Sequence, residues 1–241
     1  MHLVVDVGNT NIKCFIFNND ELVFDARYEC EDFLSSSLEL PLLQNISSGI
    51  ICNVSKYQTE SITQKFPTVA WTKFTRDTKI PLGNAYETPE SLGLDRLAAA
   101  VGAEFLFPKM NKLIIDMGTA ITIDFVDEAS TYQGGNISLG MSSRFRALHD
   151  YTGKLPLVKQ TDDVSLIGKN TNDAILNGVI QGISYELDGY IETYRSHYQN
   201  VMILFTGGDA LFFENKLKNS IFVHRNLVAL GLLSVLKFNE K

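Results

Sequence analysis

The sequence contains few cysteines, and their pattern is not that of a cross-linked or zinc-binding protein. Cys14, Cys30 and Cys52 are odd in number, widely spaced and without a CxxC pair. Disulfide frameworks and zinc sites need such patterns. We therefore expect three buried thiols in a reducing compartment, which favours a cytoplasmic protein.

Long apolar runs and clusters of positive charge are also missing. No run of about 18 apolar residues occurs, and the opening MHLVVD carries an aspartate inside its first apolar run, unlike a signal peptide. The formal net charge is −7, and no lysine or arginine run exceeds two residues. Neither a membrane nor a nucleic acid is expected as a partner.

Two common nucleotide-binding motifs are absent as well. There is no GxxxxGK[ST], which excludes a P-loop, and no GxGxxG of a dinucleotide-binding domain. The chain is nevertheless of globular type, because its 241 residues are 45% hydrophobic and 20% charged. A nucleotide would have to be bound by another kind of loop.

What the chain does contain is a pair of similar hairpins, about half a chain apart. In residues 113–124, LIIDMGTAITID, a strand ends in Asp116, turns at Gly118 and Thr119, and returns. Gly118 permits close approach of a ligand, and Thr119 adds a hydroxyl and an N–H group. An ordinary hairpin remains an equally open interpretation of this segment alone.

The other hairpin, residues 3–17, has the sequence LVVDVGNTNIKCFIF. Asp6, Gly8 and Thr10 again lie between two apolar strands, where an Asx-type turn is the simple structural alternative. Together the two hairpins are typical of a nucleotide clamp, in which N–H groups and hydroxyls hold phosphate and an aspartate holds its cation.

Two further polar segments have both a functional and a simpler interpretation. Asp95 and Arg96 begin a predicted helix and suit a general base and the recognition of an acidic substrate, but Asp95 also suits the helix dipole alone. Residues 206–209, TGGD, suit an adenosine site or merely a tight turn.

Strands followed by helix–strand alternation occur twice, which predicts a two-lobed α/β protein with a cleft between the lobes. We expect an N-terminal lobe over residues 1–110 and a C-terminal lobe over residues 111–241. Apolar spacing and capping predict helices at 32–43, 56–66, 92–107, 141–151, 172–197 and 226–238. Residues 83–91 are predicted to form a polar loop.

The segments DVGNT, LGLDR, DMGTAIT, GGNISLG and TGGDA, in this order, resemble the type III pantothenate kinases. These belong to the superfamily of acetate and sugar kinases, heat-shock chaperones and actin. The motifs extend from Asp6 to Asp209, and LGLDR is the most specific. The resemblance implies a two-lobed actin-like, ribonuclease H-like fold with a nucleotide cleft. It also implies ATP-dependent phosphorylation of pantothenate to 4′-phosphopantothenate, the first step of coenzyme A biosynthesis.

The resemblance also implies roles for individual residues. Asp95 would be the general base, Asp116 would bind a monovalent cation (K⁺ or NH₄⁺), and Asp6 would hold Mg²⁺ through water. Thr171 would reach pantothenate from the neighbouring subunit of a homodimer. The implied ATP-binding residues are Asp6, Val7, Gly8, Asn9, Thr10, Asn11, Ile12, Lys13 and Thr119. The implied pantothenate-binding residues are Tyr86, Gly93, Leu94, Asp95, Arg96 and Thr171.

Four positions depart from the family pattern. Cys14 and Phe15 stand where a glycine is usual, and Leu139 stands where proline is common. Lys13 is unusual too; it contacts a phosphate or points outward, and we favour the latter. These departures concern nucleotide contacts rather than the class of protein.

Two other functions stay open. One is a kinase for another small hydroxy acid or a sugar, which LGLDR and the short chain disfavour. The other is a nucleotide-binding regulatory protein that has lost turnover. Because Asp95 and Asp116 are both present, we favour an active enzyme.

Overall fold

The computed structural model describes residues 1–35 and 40–240. The chain forms two compact units. The first comprises Met1–Pro108, Ser130–Tyr132 and Asn226–Lys241, and the second comprises Lys109–Ala129 and Gln133–Arg225.

The described residues form strands and α-helices that alternate along most of the chain. The strands are β1 (His2–Val7), β2 (Asn11–Asn18), β3 (Glu21–Glu29), β4 (Ser48–Asn53), β5 (Ala70–Lys73), β6 (Gly83–Asn84), β7 (Asn111–Met117), β8 (Ala120–Val126), β9 (Thr131–Leu139), β10 (Val201–Thr206) and β11 (Phe222–Val223). The α-helices are α1 (Cys30–Ser35), α2 (Thr59–Thr63), α3 (Leu94–Leu106), α4 (Met141–Tyr151), α5 (Thr171–His197), α6 (Ala210–Glu214) and α7 (Leu227–Asn239).

The sheet of the first unit has the strand order β3-β2-β1-β4-β5. Strand β1 lies antiparallel to β2, with Asp6 opposite Lys13, and parallel to β4, with Asp6 beside Cys52. The central strand β1 is buried over most of its length, as its continuous apolar sequence predicts. This sheet therefore presents Asp6 at the end of a buried strand, next to the first turn.

The first unit also contains α7, which packs on α3 with two glycines at the contact. A Cβ atom on Gly231 would lie 1.8 Å from the carbonyl oxygen of Ala98, and one on Gly102 would lie 2.3 Å from that of Leu227. Because only glycine permits this approach, the C-terminal helix packs tightly in the first unit. The division expected at residue 110 would have assigned it to the second.

The second sheet repeats the arrangement of the first around a central strand. Its order is β11-β10-β7-β8-β9-β6, in which β7 lies antiparallel to β8 and parallel to β10. Asp116, near the end of β7, is opposite Thr122 and beside Thr206. The short strand β6 pairs with the beginning of β9, at Thr131 and Tyr132.

The core of the second unit is built by β7, β8 and β10 against the long helix α5. The predicted apolar stripe of that helix is buried, and it consists of Ile175, Val179, Ile183, Leu187 and Ile191. The helix has 27 residues and begins at Thr171, one residue before the predicted start. No helix in ranges 1–35 and 40–240 is long and apolar enough to cross a membrane.

Some predicted elements are wrong or incomplete. The helix predicted over 56–66 is confined to α2, and the loop predicted over 83–91 contains β6 and a 3₁₀ helix at Pro89–Ser91. The helix predicted over 32–43 is observed as α1, which begins earlier, and a 3₁₀ helix follows at Leu43–Asn45. Residues 36–39 of that prediction lie outside the described residues.

Candidate functional site

The first predicted phosphate-binding turn, between β1 and β2, is held from one side by a cysteine. The Gly8 N–H donates to the Asn11 carbonyl (2.9 Å), which closes the turn. Cys30 donates its N–H to the Thr10 carbonyl (3.3 Å) and its thiol to the Gly8 carbonyl (3.6 Å). Asn9 and Thr10 are exposed, so their polar groups are accessible to a ligand.

An ion pair lies directly beneath this turn. The Lys13 Nζ atom is 3.2 Å from Asp6 Oδ2, and the Asp6 side chain is only 10% exposed whereas that of Lys13 is 44% exposed. Burial raises the pKa of Asp6, the Lys13 ammonium lowers that pKa, and the Asp95 carboxylate raises it further. Lys13 therefore directs its charge at Asp6 rather than simply outward.

Asp95 lies in the first turn of α3, as predicted, and close enough to Asp6 to influence its titration. Its Oδ1 atom accepts the Arg96 N–H at 2.9 Å. A Cβ atom on Gly93 would lie 2.5 Å from that oxygen, so Gly93 leaves the space that the carboxylate occupies. Burial raises the pKa of the neighbouring Cys52, with Asp6 and Asp95 adding to the effect. The first unit thus brings the expected base and the first phosphate hairpin together.

The structure also brings together Arg96 and Tyr86, two of the residues expected to bind an acidic substrate. The Arg96 guanidinium carbon lies 5.8 Å from the centroid of the Tyr86 ring, a cation–π distance. Arg96 is buried, with 7% of its surface exposed, whereas Tyr86 is half-buried. A desolvated guanidinium against an aromatic ring suits the recognition of an anion.

In the second unit, the Gly118–Thr119 turn is supported by the residues that begin α4. The Thr119 carbonyl accepts the Gly140 N–H at 3.0 Å and the Ser143 hydroxyl at 2.6 Å. A Cβ atom on Gly140 would lie 1.9 Å from the Gly118 carbonyl oxygen, so the contact requires glycine. Thr119 itself is exposed, so its side chain is available to a ligand.

The TGGD turn after β10 packs directly on Asp116. Gly207 has a φ of +90°, and a Cβ atom there would lie 2.4 Å from Asp116 Oδ1 and 2.5 Å from the Met117 carbonyl oxygen. The Asp209 N–H donates to that carbonyl at 3.1 Å. Burial raises the pKa of Asp209. The second unit therefore assembles the second hairpin, the start of α4 and the TGGD turn around Asp116 and Thr119.

Both cations implied by the resemblance fit the oxygen donors that these turns provide. Gly207 packs closely on the Asp116 carboxylate and the Met117 carbonyl, so these two oxygens lie near each other, and oxygen donors suit a hard cation. Asp6 is a single carboxylate, which fits Mg²⁺ because that ion commonly binds one or two carboxylates plus waters and phosphates. Nowhere in the described part of the chain do three His, Cys, Asp or Glu side chains form a metal-binding group.

Thr171 is exposed at the first residue of α5 and lines a cavity of about 1,020 Å³. This cavity lies between α4 and α5 of the second unit and has a largely apolar lining. Leu139 and Arg144 also line it, and they flank the segment that supports Thr119. Arg144 donates to the Leu139 carbonyl at 2.8 Å and pairs with Glu186 on α5.

Two residues that support the Gly118–Thr119 turn were not predicted from the sequence. Gly140 ends the GGNISLG segment, so its glycine was visible, but its contact with Gly118 depends on tertiary packing. Ser143 has no local signal, because one serine at the start of a helix has many structural uses. Only the position of α4 relative to Thr119 identifies either residue.

Comparison with solved structures shows the fold. A conserved candidate Baf family transcriptional activator from Campylobacter jejuni superposes with a TM-score of 0.68 at 23% identity, covering 99% of this chain and 98% of the other. A candidate 2-dehydro-3-deoxygalactonokinase from Sinorhizobium meliloti superposes with a TM-score of 0.59 at 13% identity, covering 99% of both chains. The predicted α/β fold is confirmed.

Comparison of sequences identifies the family. A family model described as type III pantothenate kinase matches residues 2–193. The type III pantothenate kinase of Flavobacterium psychrophilum is 39% identical over 242 residues, which cover 100% of both chains. The chain therefore belongs to the type III pantothenate kinase family.

Proposed function

We propose that this protein transfers the γ-phosphoryl group of ATP to the primary hydroxyl of pantothenate, giving 4′-phosphopantothenate in the first step of coenzyme A biosynthesis in the cytoplasm. The observation that carries this proposal is the arrangement at the start of α3. There Asp95 lies near the first phosphate hairpin and Arg96 lies against Tyr86. Family membership supplies the substrate, and this arrangement supplies groups that suit it.

Asp95 is the general base in this proposal. Its carboxylate accepts the proton of the pantothenate hydroxyl while the oxygen attacks the γ-phosphorus and the bond to the ADP oxygen breaks. Phosphoryl transfer asks mainly for positioning and charge stabilisation, so one correctly placed carboxylate suffices. Arg96 binds the carboxylate of pantothenate at the other end, and Tyr86, Gly93 and Leu94 complete the substrate contacts.

The ATP-binding residues in this proposal are those of the two turns. Residues 6–13 offer N–H groups, the exposed Asn9 and Thr10 side chains and the Lys13 ammonium to phosphate, and Thr119 offers its hydroxyl. Asp6 holds Mg²⁺ through water, and that ion neutralises phosphate charge when bound. Asp116 holds the monovalent cation, K⁺ or NH₄⁺.

We further propose a homodimer in which Thr171 of one subunit contacts the pantothenate of its partner. Support comes from its exposure at the start of α5 and from the neighbouring apolar cavity. Mixing an Asp95→Asn dimer with a Thr171→Trp dimer tests this, because a mixed dimer carries one intact site. After subunit exchange, activity should return to about a quarter of the wild-type value. No recovery, although differently tagged subunits co-purify as mixed dimers, would contradict it.

The main test is a coupled ATP-turnover assay with pantothenate and Mg²⁺, in potassium or in sodium. We expect pantothenate-dependent turnover that requires potassium and falls roughly 10²–10⁴-fold in Asp95→Asn. Asp150→Asn, at an exposed position of α4, is the matched control and should keep full activity. ATP binding without product in either salt would instead indicate a protein that has lost turnover.

A further inference from the structure

The ring of Tyr86, which contacts Arg96, also contacts the ring of a third residue, Tyr132. The ring centroids of Tyr86 and Tyr132 are 6.1 Å apart, with 53° between the ring planes. Tyr132 is fully buried, at 0% exposure, whereas the Tyr86 ring in front of it is half-buried. The guanidinium of Arg96 also contacts Tyr86, so Tyr86 lies in contact with both the buried Tyr132 and Arg96.

The backbone around Tyr132 also holds the segment that carries Tyr86. The Ala85 N–H donates to the Tyr132 carbonyl at 2.9 Å, and the Gly83 N–H donates to the Ser130 carbonyl at 2.9 Å. These bonds form the pairing of β6 with the beginning of β9. Tyr132 therefore contacts this segment twice, through its carbonyl group and through its ring.

Residues 130–132 also contact α3, the helix on which Arg96 lies. The Ser130 hydroxyl donates to Glu104 Oε1 at 2.7 Å. Residues 130–132 belong to the first compact unit, although the chain before and after them belongs to the second. They thus join the Tyr86 segment and α3 from within the same unit.

We propose that Tyr132 is a positioning residue for substrate recognition, holding Tyr86 so that Arg96 is kept in place to bind the carboxylate of pantothenate. This inference rests on the proposed function, and it adds a residue that acts through Tyr86 and Arg96 rather than by touching the substrate. An arginine side chain has many rotamers, and fixing it before the substrate arrives removes part of the entropy cost of binding. A cation–π contact can fix it only if the ring itself is held.

The proposal predicts that loss of the Tyr132 ring weakens binding of the pantothenate carboxylate and leaves ATP binding intact. We would compare Tyr132→Leu with Tyr132→Phe on pantothenate and on pantothenyl alcohol, which has a hydroxyl in place of the carboxylate. In Tyr132→Leu the KM for pantothenate should rise roughly tenfold. The KM for ATP and the KM for pantothenyl alcohol should stay within about twofold of wild type. Tyr132→Phe keeps the ring and should restore the pantothenate KM.

An equal loss on both substrates, or a rise in the KM for ATP, would overturn the inference, because a merely structural role predicts those results. If circular dichroism shows that the leucine variant is unfolded, Tyr132→Met carries the same comparison, since its flexible side chain fills irregular space. In an Arg96→Met background, removal of the Tyr132 ring should have no further effect on pantothenate. An additional loss there would also count against the inference.

Failure of the proposed function gives a different result. In that case the wild-type protein would phosphorylate neither substrate, and no variant would need to be compared. If the wild type prefers pantothenate and Arg96→Met abolishes that preference, the function holds. A Tyr132→Leu variant that keeps the preference would then reject the positioning role alone.

Discussion

The ammonium group of Lys13 lies 3.2 Å from Oδ2 of Asp6, in register across the first hairpin. In the second hairpin the same register joins Asp116 to Thr122, a neutral residue. The strand-end aspartate is therefore paired in register with a lysine in the first hairpin and with a threonine in the second.

Replacing Lys13 by methionine should destabilise the protein more at neutral and alkaline pH than in acid. Burial already raises the pKa of Asp6 above its unfolded value, and Lys13 opposes that rise. Without Lys13 the pKa of Asp6 rises further, so the unfolding free energy is lower where Asp6 is ionised in the folded wild-type protein and is unaffected where folded Asp6 is protonated with and without Lys13. We expect a loss on the order of 1–2 kcal/mol near pH 8, less than for a fully buried pair because the lysine is partly exposed.

Urea unfolding near pH 8 and near pH 5 measures this effect. The double variant Asp6→Asn/Lys13→Met is the control, because it removes the unpaired charge and should remove the pH dependence. Equal losses in Lys13→Met at both pH values would show that the pair does not control the charge of Asp6.

Much of this architecture could be predicted from the sequence, because local patterns determine it. The helix predicted over 141–151 is α4, with the same bounds, and the helix predicted over 172–197 differs from α5 by one residue. Both have a clear apolar stripe. Both hairpins were also predictable, since alternating apolar strands flank short polar turns.

The remaining features depend on partners far away in the chain. The two-residue strand β6 exists because β9 is available to pair with it. The packing of α7 on α3 depends on Gly231 and Ala98, more than a hundred residues apart. In the candidate site, the motifs alone make Asp95 and Asp116 candidates, whereas the contact of Ser143 with Thr119 appears only when α4 lies against the second hairpin.

Ser143→Ala should weaken ATP binding while leaving the fold intact. The Ser143 hydroxyl is one of two donors to the Thr119 carbonyl, and the Gly140 N–H remains as the other. Loss of one such hydrogen bond costs about 0.5–1.5 kcal/mol, so the KM for ATP should rise roughly two- to tenfold. Steady-state kinetics measures this, with the exposed neighbour Ser142→Ala as the matched control. If both variants behave like wild type, Ser143 does not position the turn.

Gly231→Ala should lower the stability of the first unit. The added methyl group would meet the Ala98 carbonyl at 1.8 Å, so α3 and α7 must move apart. Overpacking of this kind typically costs about 1–3 kcal/mol. Gly189→Ala in α5 is the control, since a Cβ atom there meets nothing within 4 Å, and it should gain roughly 0.5–1 kcal/mol from helix propensity. Thermal unfolding of both variants in parallel makes the comparison, and a stabilised Gly231→Ala variant would be incompatible with the close helix contact.

Gly207→Ala should damage the cation site more than the fold. Its φ of +90° is unfavourable for alanine, and its Cβ atom would lie 2.4 Å from Asp116 Oδ1. The carboxylate and the Met117 carbonyl beside it must therefore shift, so the geometry offered to a monovalent cation is lost. We expect the potassium concentration for half-maximal turnover to rise at least about tenfold, which matches the 1–2 kcal/mol typical of left-handed strain.

Gly208→Ala separates this effect from a general loss of flexibility in the TGGD turn. A Cβ atom on Gly208 meets nothing within 4 Å, so the variant should keep the wild-type potassium dependence. Titrating turnover with potassium at constant ionic strength distinguishes the two variants. Because the clash at Gly207 involves Asp116 directly, Asp116→Asn should show the same loss of potassium response. Gly207→Ala could instead lose activity and keep its response to potassium, while Asp116→Asn loses that response. The turn would then act on ATP rather than on the cation.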